Sequence, residues 1–394
     1  MGTISNYIAD HLEQGSWIRK LFEEGSRLKS LYGSDSVYDF SLGNPIVEPP
    51  ASFQRALQSV VLEEKEGKHR YIPNQGLPEA RAKVADFLND RFQTDMTSDT
   101  VVMSVGAGGA LNVVMKSILD PGDEVILFTP YFVEYDNYIA NHGGNVVRCP
   151  LSETFSLDLE EIGKALTAKT RAVLINTPHN PTGSVLVQEE LNALGGALRQ
   201  AEQTYGTTIY LICDDPYGQL IYDAEAVNPF QAYGRTLLAS SFSKDLGLAG
   251  ERLGYIGVPA SLEDAGKLVA ALVYCTRTLG FVNAPVLVQR AIAVMDTLRV
   301  PQEQYRERRD LMVDVLQEAG YEFVRPLGGF FVFPKTPIAD DVAFCLKAAQ
   351  DYRLLIVPGS GFGRGGHFRL SYSVPVDQIE RSRDVFKRLL ESYK

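Results

Sequence analysis

The sequence predicts an α/β fold: a large domain with a mostly parallel seven-stranded sheet flanked by helices, and a smaller α+β domain formed by both chain ends. Three observations carry this expectation. Between residues 100 and 260, short apolar, β-branched runs alternate with longer segments of helical spacing, the pattern of strands joined by helical crossovers. Beyond residue 300 helices and strands are segregated instead, which marks a different layer arrangement. The 394 residues also exceed the roughly 250–300 at which a single core stops growing.

The elements follow in chain order. Residues 1–50 hold an amphipathic helix carrying Trp17, Leu21, Phe22 and Leu28, then a turn-rich stretch from Gly43-Asn44-Pro45 to Pro49-Pro50. This segment is expected to join the small domain. Residues 51–300 make the large domain, with strands at 101–105, 124–128, 146–149, 172–176, 209–213, 237–240 and 253–258. Runs this apolar imply strands covered on both faces. Helical spacing places the intervening helices at 110–119, 135–142, 159–166 and 189–205. Residues 301–394 form the small C-terminal domain: a long polar helix at 302–320, the stretch 321–333, a second helix from residue 340 and an apolar run at 354–357.

Composition removes several function classes. With 38 Lys and Arg against 49 Asp and Glu, the net charge is -11, the wrong sign for phosphate backbones or anionic lipid. Neither nucleic acid nor membrane is an expected partner. The four cysteines, Cys149, Cys213, Cys275 and Cys345, form no Cys-x-x-Cys pair, so they read as core thiols in a reducing compartment rather than a metal or redox site. Asp10, Glu13, Arg19 and Lys20 interrupt the start where a signal peptide would be apolar, and the expected location is cytoplasmic.

Ligands of open α/β sheets bind outside the carboxyl ends of the strands, and polar residues cluster there. After the first strand comes Gly106-Ala107-Gly108-Gly109, opening into a helix. Small residues let backbone N–H groups approach an anion, and the helix start adds partial positive charge. The run has neither the Gly-Lys-Ser/Thr ending of a P-loop nor the spaced glycines of a dinucleotide site. After the strand ending at Asn176 stands Thr177-Pro178-His179-Asn180-Pro181-Thr182-Gly183, a rigid loop that can aim the Asn180 amide at a ligand oxygen. Next, Asp214-Asp215-Pro216-Tyr217 puts a carboxylate and a phenol at one strand end. A buried carboxylate needs a cation, and a protonated heteroaromatic nitrogen or a metal would serve.

The following strand ends in Ser240-Ser241-Phe242-Ser243-Lys244, with Arg252 eight residues beyond the lysine. A lysine at an apolar strand end near other cations can lose its proton near neutral pH and attack an aldehyde. Ser241, Ser243 and Arg252 suit a phosphate dianion. A phosphorylated aldehyde held through a lysine, with a carboxylate for its ring nitrogen, describes pyridoxal phosphate.

At these residues the chain resembles the fold-type-I aminotransferases that depend on pyridoxal 5'-phosphate, the aspartate aminotransferase superfamily. The likeness spans nearly the whole sequence. It implies that Lys244 is the Schiff-base lysine and proton shuttle, that Asp214 partners the pyridinium nitrogen, and that Tyr217 and Asn180 hydrogen-bond the cofactor's phenolic oxygen. By the same resemblance Ala107, Gly108, Ser241, Ser243 and Arg252 hold the phosphate, and Phe132 in Pro130-Tyr131-Phe132 stacks on the ring. Tyr71 matches the tyrosine that reaches the phosphate of a neighbouring subunit, which implies a homodimer. Arg369 in Phe368-Arg369-Leu370-Ser371 matches the arginine that grips the substrate α-carboxylate, and Gly43 the glycine whose backbone lies against it.

The implied reaction is a ping-pong transfer of an amino group from an L-amino acid to a 2-oxo acid, with aspartate or glutamate slightly favoured as donor and aromatic or aliphatic donors left open. A lyase or cyclase of the same fold, performing β- or γ-elimination or resembling the aminocyclopropane-carboxylate synthases, is the alternative. Where one subgroup carries a lysine for a distal carboxylate, this chain has Gly108. Arg277 stands near the place of a partner-subunit arginine used elsewhere in the family, one residue out of register before Asn283-Ala284-Pro285. Trp17, the only tryptophan, would instead wall an apolar substrate pocket with Phe330 and Phe331. No metal ligand set is expected.

Overall fold

The computed structural model describes residues 3–5, 8, 9 and 17–394, and of residues 17–23 the backbone alone. In chain order the strands are β1 (Tyr38–Asp39), β2 (Val101–Ser104), β3 (Glu124–Thr129), β4 (Asn145–Pro150), β5 (Thr170–Asn176), β6 (Tyr210–Asp214), β7 (Thr236–Ser241), β8 (Gly254–Gly257), β9 (Phe331–Val332), β10 (Leu354–Leu355), β11 (Val357–Pro358) and β12 (Phe368–Ser371). The central sheet is seven-stranded, in the order β2-β8-β7-β6-β5-β3-β4. Its strands pair in parallel except β8, which runs antiparallel between β7 and β2. Each expected strand is present within two residues of the expected ends.

One expectation about this sheet is corrected. The central strands are covered on both faces, but β4 buries only Cys149. It is the outermost strand, and among the described residues no strand pairs with its outer edge.

The smaller domain uses both chain ends, as the segregated pattern implied. β1 pairs in parallel with β10, and β11-β12-β9 make an antiparallel sheet. Phe40 packs in one apolar cluster with Phe330, Phe331, Phe344, Phe368 and Phe386, and Ser371 N–H donates to the Phe40 carbonyl at 2.8 Å. Residues 354–357 do not form one strand: β10 serves the pair with β1, and β11 turns to β12. Within 321–333 only β9 is strand, because Pro326, Gly328 and Gly329 break the ladder before it. Among the described residues no helix is long and apolar enough to cross a membrane.

Candidate active site

Sheet register brings the candidate residues together. Asn176 lies opposite Asp214, and Asp214 opposite Ala239, so β5, β6 and β7 end at one edge. Gly254 of β8 lies opposite both Ser241 and Ser104. A Cβ at Gly254 would sit 2.6 Å from the Gly106 carbonyl carbon and 2.6 Å from the Ser240 oxygen, so glycine is what allows the turn after β2 to lie against the end of β7. The result is a cavity of about 320 Å³ lined by Gly43, Ala107, Gly108, Phe132, Asn180, Asp214, Tyr217, Ser241, Ser243, Lys244, Arg252 and Arg369.

The helix Gly106–Ile118 starts inside the glycine run, four residues before the expected start at 110. Gly106 takes φ 70, which turns the chain directly from strand into helix without a Cβ penalty. Ala107 and Gly108 therefore stand in the first turn, where N–H groups lack intrahelical acceptors and an anion is favoured. Arg252 lies over this turn: a Cβ on Gly106 would be 2.6 Å from its Nη2. Ser243 N–H donates to Ser241 Oγ at 3.4 Å.

Asp214 is 5% exposed. Its Oδ2 accepts from Tyr135 Oη at 2.5 Å, while Oδ1 is buried without a partner among the described residues. Burial raises this carboxyl to about 7; the Tyr135 hydrogen bond opposes the rise and Asp215 adds to it. Asp215 is itself paired, accepting two hydrogen bonds from Arg91, one of them at 3.0 Å. A protonated ring nitrogen fits the orphaned Oδ1, since it supplies both the missing charge and the missing donor. A metal would need further ligands, and no group of three or more His, Cys, Asp or Glu gathers among the described residues.

Lys244 Nζ donates to the Gly43 carbonyl at 2.6 Å. Burial, then the Arg369 and Arg252 charges, lower its ammonium to about 8 from 10.5. The free amine therefore grows about tenfold per pH unit below 8 and saturates above it. The rate at which the apoprotein takes up pyridoxal phosphate covalently should follow this curve, measured by absorbance across pH 6 to 10. A rate still rising tenfold per unit beyond pH 9 would show an ordinary lysine.

Arg369, on β12, is 2% exposed. Its Nη1 donates to Asn180 Oδ1 at 3.1 Å and its Nη2 to the Ser41 carbonyl at 2.7 Å. Phe331 and Phe362 place their rings 4.5 and 4.6 Å from the guanidinium carbon. Among the described residues no carboxylate pairs with it, and Nε has no partner. Burial pulls it down to about 10, Tyr217 opposing. A buried cation without an anion is costly, and a substrate carboxylate is the group that would complete it. Asn180 is held by its backbone N–H, which donates to Asn176 Oδ1 at 2.8 Å. Burial pushes the Tyr217 phenol far up, so it stays a hydroxyl.

Phe132 meets Tyr135 edge-on at 5.5 Å and lines the cavity, as does Phe331; Phe330 backs it, with Lys244 Nζ 5.5 Å from its ring centre. Two candidates are not in this cavity. Tyr71 is 90% exposed, beside a surface groove lined by Phe281, Val282 and Asn283. Arg277 ends the helix Ala265–Thr278 and lies over the Tyr274 ring at 5.5 Å. The Trp17 side chain lies outside the described residues. Sequence reasoning missed Tyr135 and Tyr138, which also line the cavity. A helix beginning right after Phe132, with Tyr135 and Tyr138 three residues apart on one face, was the available signal.

The family model for aminotransferase class I and II matches residues 35–386. The aspartate aminotransferase of Thermotoga maritima is 31% identical over 391 residues, 98% of this chain and 97% of that one. The aspartate/prephenate aminotransferase of Thermus thermophilus is 31% identical over 356 residues, covering 88% and 89%. Among solved structures, an amino transferase from Eubacterium rectale matches with TM-score 0.95 at 34% identity, both chains fully covered. Aspartate aminotransferase from Thermus thermophilus with maleate matches with TM-score 0.88 at 27% identity over 99% of this chain and 100% of that one.

Proposed function

Since the chain belongs to the class I and II aminotransferases and is a pyridoxal-phosphate-dependent transaminase, we propose that its amino donor is acidic, aspartate or glutamate, and that the acceptor is a 2-oxo acid. One observation carries the site assignment. A single cavity holds a buried carboxylate with one oxygen unpartnered and a buried guanidinium with no countercharge, both among the described residues, together with an amine whose ammonium is lowered to about 8. The relatives named for aspartate support the donor class.

When bound, the cofactor supplies an aldehyde carbon for the amino group and a protonated ring that accepts the electron pair left at Cα. Asp214 holds the proton on the ring nitrogen. Lys244 Nζ would be the amine that meets the aldehyde, and as a free amine it would carry the Cα proton to the carbon on the cofactor side. Ala107, Gly108, Ser241, Ser243 and Arg252 would hold the phosphate, Phe132 would pack on the ring face, and Asn180 and Tyr217 would bond the phenolic oxygen. Arg369 grips the α-carboxylate beside the Gly43 backbone.

The active unit is a homodimer in this reading. Tyr71, largely exposed beside a surface groove, reaches the neighbour's phosphate, and Arg277 reads the distal carboxylate there. We assign residues 1–50 and 301–394 to the small domain and 51–300 to the large one. The four buried, unpaired cysteines favour a reducing, cytoplasmic setting.

The test is an amino-donor panel on the purified holoenzyme. Aspartate or glutamate should convert the cofactor stoichiometrically to pyridoxamine phosphate. Release of ammonia with the cofactor unchanged would favour the lyase instead. In Arg277→Ala, kcat/KM for acidic donors should fall by about 10²-fold, the size of losing one partner of a desolvated charge pair, with apolar donors spared. An equal effect on both donor classes removes Arg277 from substrate recognition.

A further inference from the structure

We infer that Tyr138 is an additional ligand of the cofactor's phosphate, its phenol donating to a phosphate oxygen above the turn at Gly108. This rests on the placement of the phosphate at that turn. Tyr138 lies on the helix Glu134–Ala140, three residues beyond Tyr135. Tyr135 commits its hydroxyl to Asp214. The Tyr138 hydroxyl lines the same cavity and has no hydrogen-bond partner among the described residues.

Its position is set by a missing side chain. A Cβ on Gly108 would sit 2.9 Å from Tyr138 Oη and 3.5 Å from Cζ, so glycine at 108 is what lets the phenol lie over the first turn of Gly106–Ile118. Arg252 reaches the same turn from the Gly106 side. Burial, Glu134 and Asp214 raise the phenol to about 12, with Arg252 opposing, so it remains a neutral O–H donor throughout the working pH range. An unspent donor beside an arginine and a free helix N-terminus is matched by an anionic oxygen, and the phosphate is the anion assigned to this place. A hydroxyl given to a charged acceptor contributes more than one given to a neutral group.

The experiment titrates apoprotein with pyridoxal phosphate and, separately, with pyridoxal, which lacks the phosphate, following absorbance. Tyr138→Phe should bind pyridoxal phosphate about 10- to 100-fold more weakly and pyridoxal unchanged. Inorganic phosphate should also compete less well with pyridoxal phosphate for the variant. Gly108→Ala, by pushing the phenol aside, should weaken pyridoxal phosphate in the parent and do so much less in the Tyr138→Phe background. Equal loss for both vitamers, or no loss for either, overturns the inference. So does a change confined to KM for acidic donors, which would make the phenol a reader of the substrate. Apoprotein that takes up neither vitamer would sink the site assignment itself, a result distinct from an unaltered Tyr138→Phe.

Discussion

Lys244→Ala should lower turnover by on the order of 10⁴-fold while the protein still binds pyridoxal phosphate. The size follows from what the amine does. A positioned acid–base group contributes about 10²–10⁴, and Lys244 also presents the amine that receives the aldehyde. Binding survives because Asp214, Arg252 and the turn at Ala107 and Gly108 are untouched. The fold survives as well: the variant frees one carbonyl, that of Gly43, at a cost of roughly 1–3 kcal/mol. A half-reaction with a good donor, followed by absorbance, measures the loss. A small primary amine in the buffer should restore part of the rate, since the truncated side chain leaves room for it. A variant that keeps a hundredth of the parent rate without added amine would remove the proton-transfer role.

Asp214→Asn should have the second largest effect and should act in opposite directions on activity and on apoprotein stability. The amide keeps the shape and can still accept from Tyr135, but it cannot hold a proton on the ring nitrogen. The half-reaction should slow by about 10³-fold, the scale of removing one well-placed electrostatic stabiliser. In the apoprotein the same carboxyl is a burden. It ionises near 3.8 in an unfolded chain and at about 7 in the fold, so the folded form holds its proton more tightly. Stability from this group is therefore lost as pH rises from about 4 to 7 and stays lost above. At pH 8 apo Asp214→Asn should be more stable than the apo parent by on the order of a few kcal/mol, read as a higher unfolding temperature. The gap should close near pH 4, and binding of pyridoxal phosphate should narrow it at pH 8. A parent apoprotein as stable as the variant at pH 8 would mean that Asp214 already has a counter-charge.

Much of the site was legible because strand ends are legible. Asp214, Lys244 and Asn180 each follow an apolar run, and the ends of such runs in an open α/β sheet share one edge. Gly108 was readable for the same reason, following β2; Arg252 was singled out by its place eight residues beyond Lys244, and it reaches this edge because β8 runs antiparallel. Arg369 was found through resemblance, and the structure gives its physical sense: a guanidinium between two phenylalanine rings, with no carboxylate paired to it among the described residues.

Other features had no local signal. Arg91 and Asp215 are 124 residues apart, yet their pairing neutralises the carboxylate next to Asp214. Gly254 looks like any strand glycine until β8 is placed antiparallel between β2 and β7. Only then does its missing side chain explain how the two halves of the phosphate site meet.

The order of residues alone determined the alternation of strands and helices, the change to segregated helices and strands beyond residue 300, and the chemical kinds of group gathered at the strand ends. These depend on periodicity and on neighbours within a few positions, which a linear string records. Tertiary structure decided which groups are left unpaired. Asp214 Oδ1, the Arg369 guanidinium and the Tyr138 phenol acquire their meaning from partners that are absent, and a missing partner exists only once every other side chain has been placed in space.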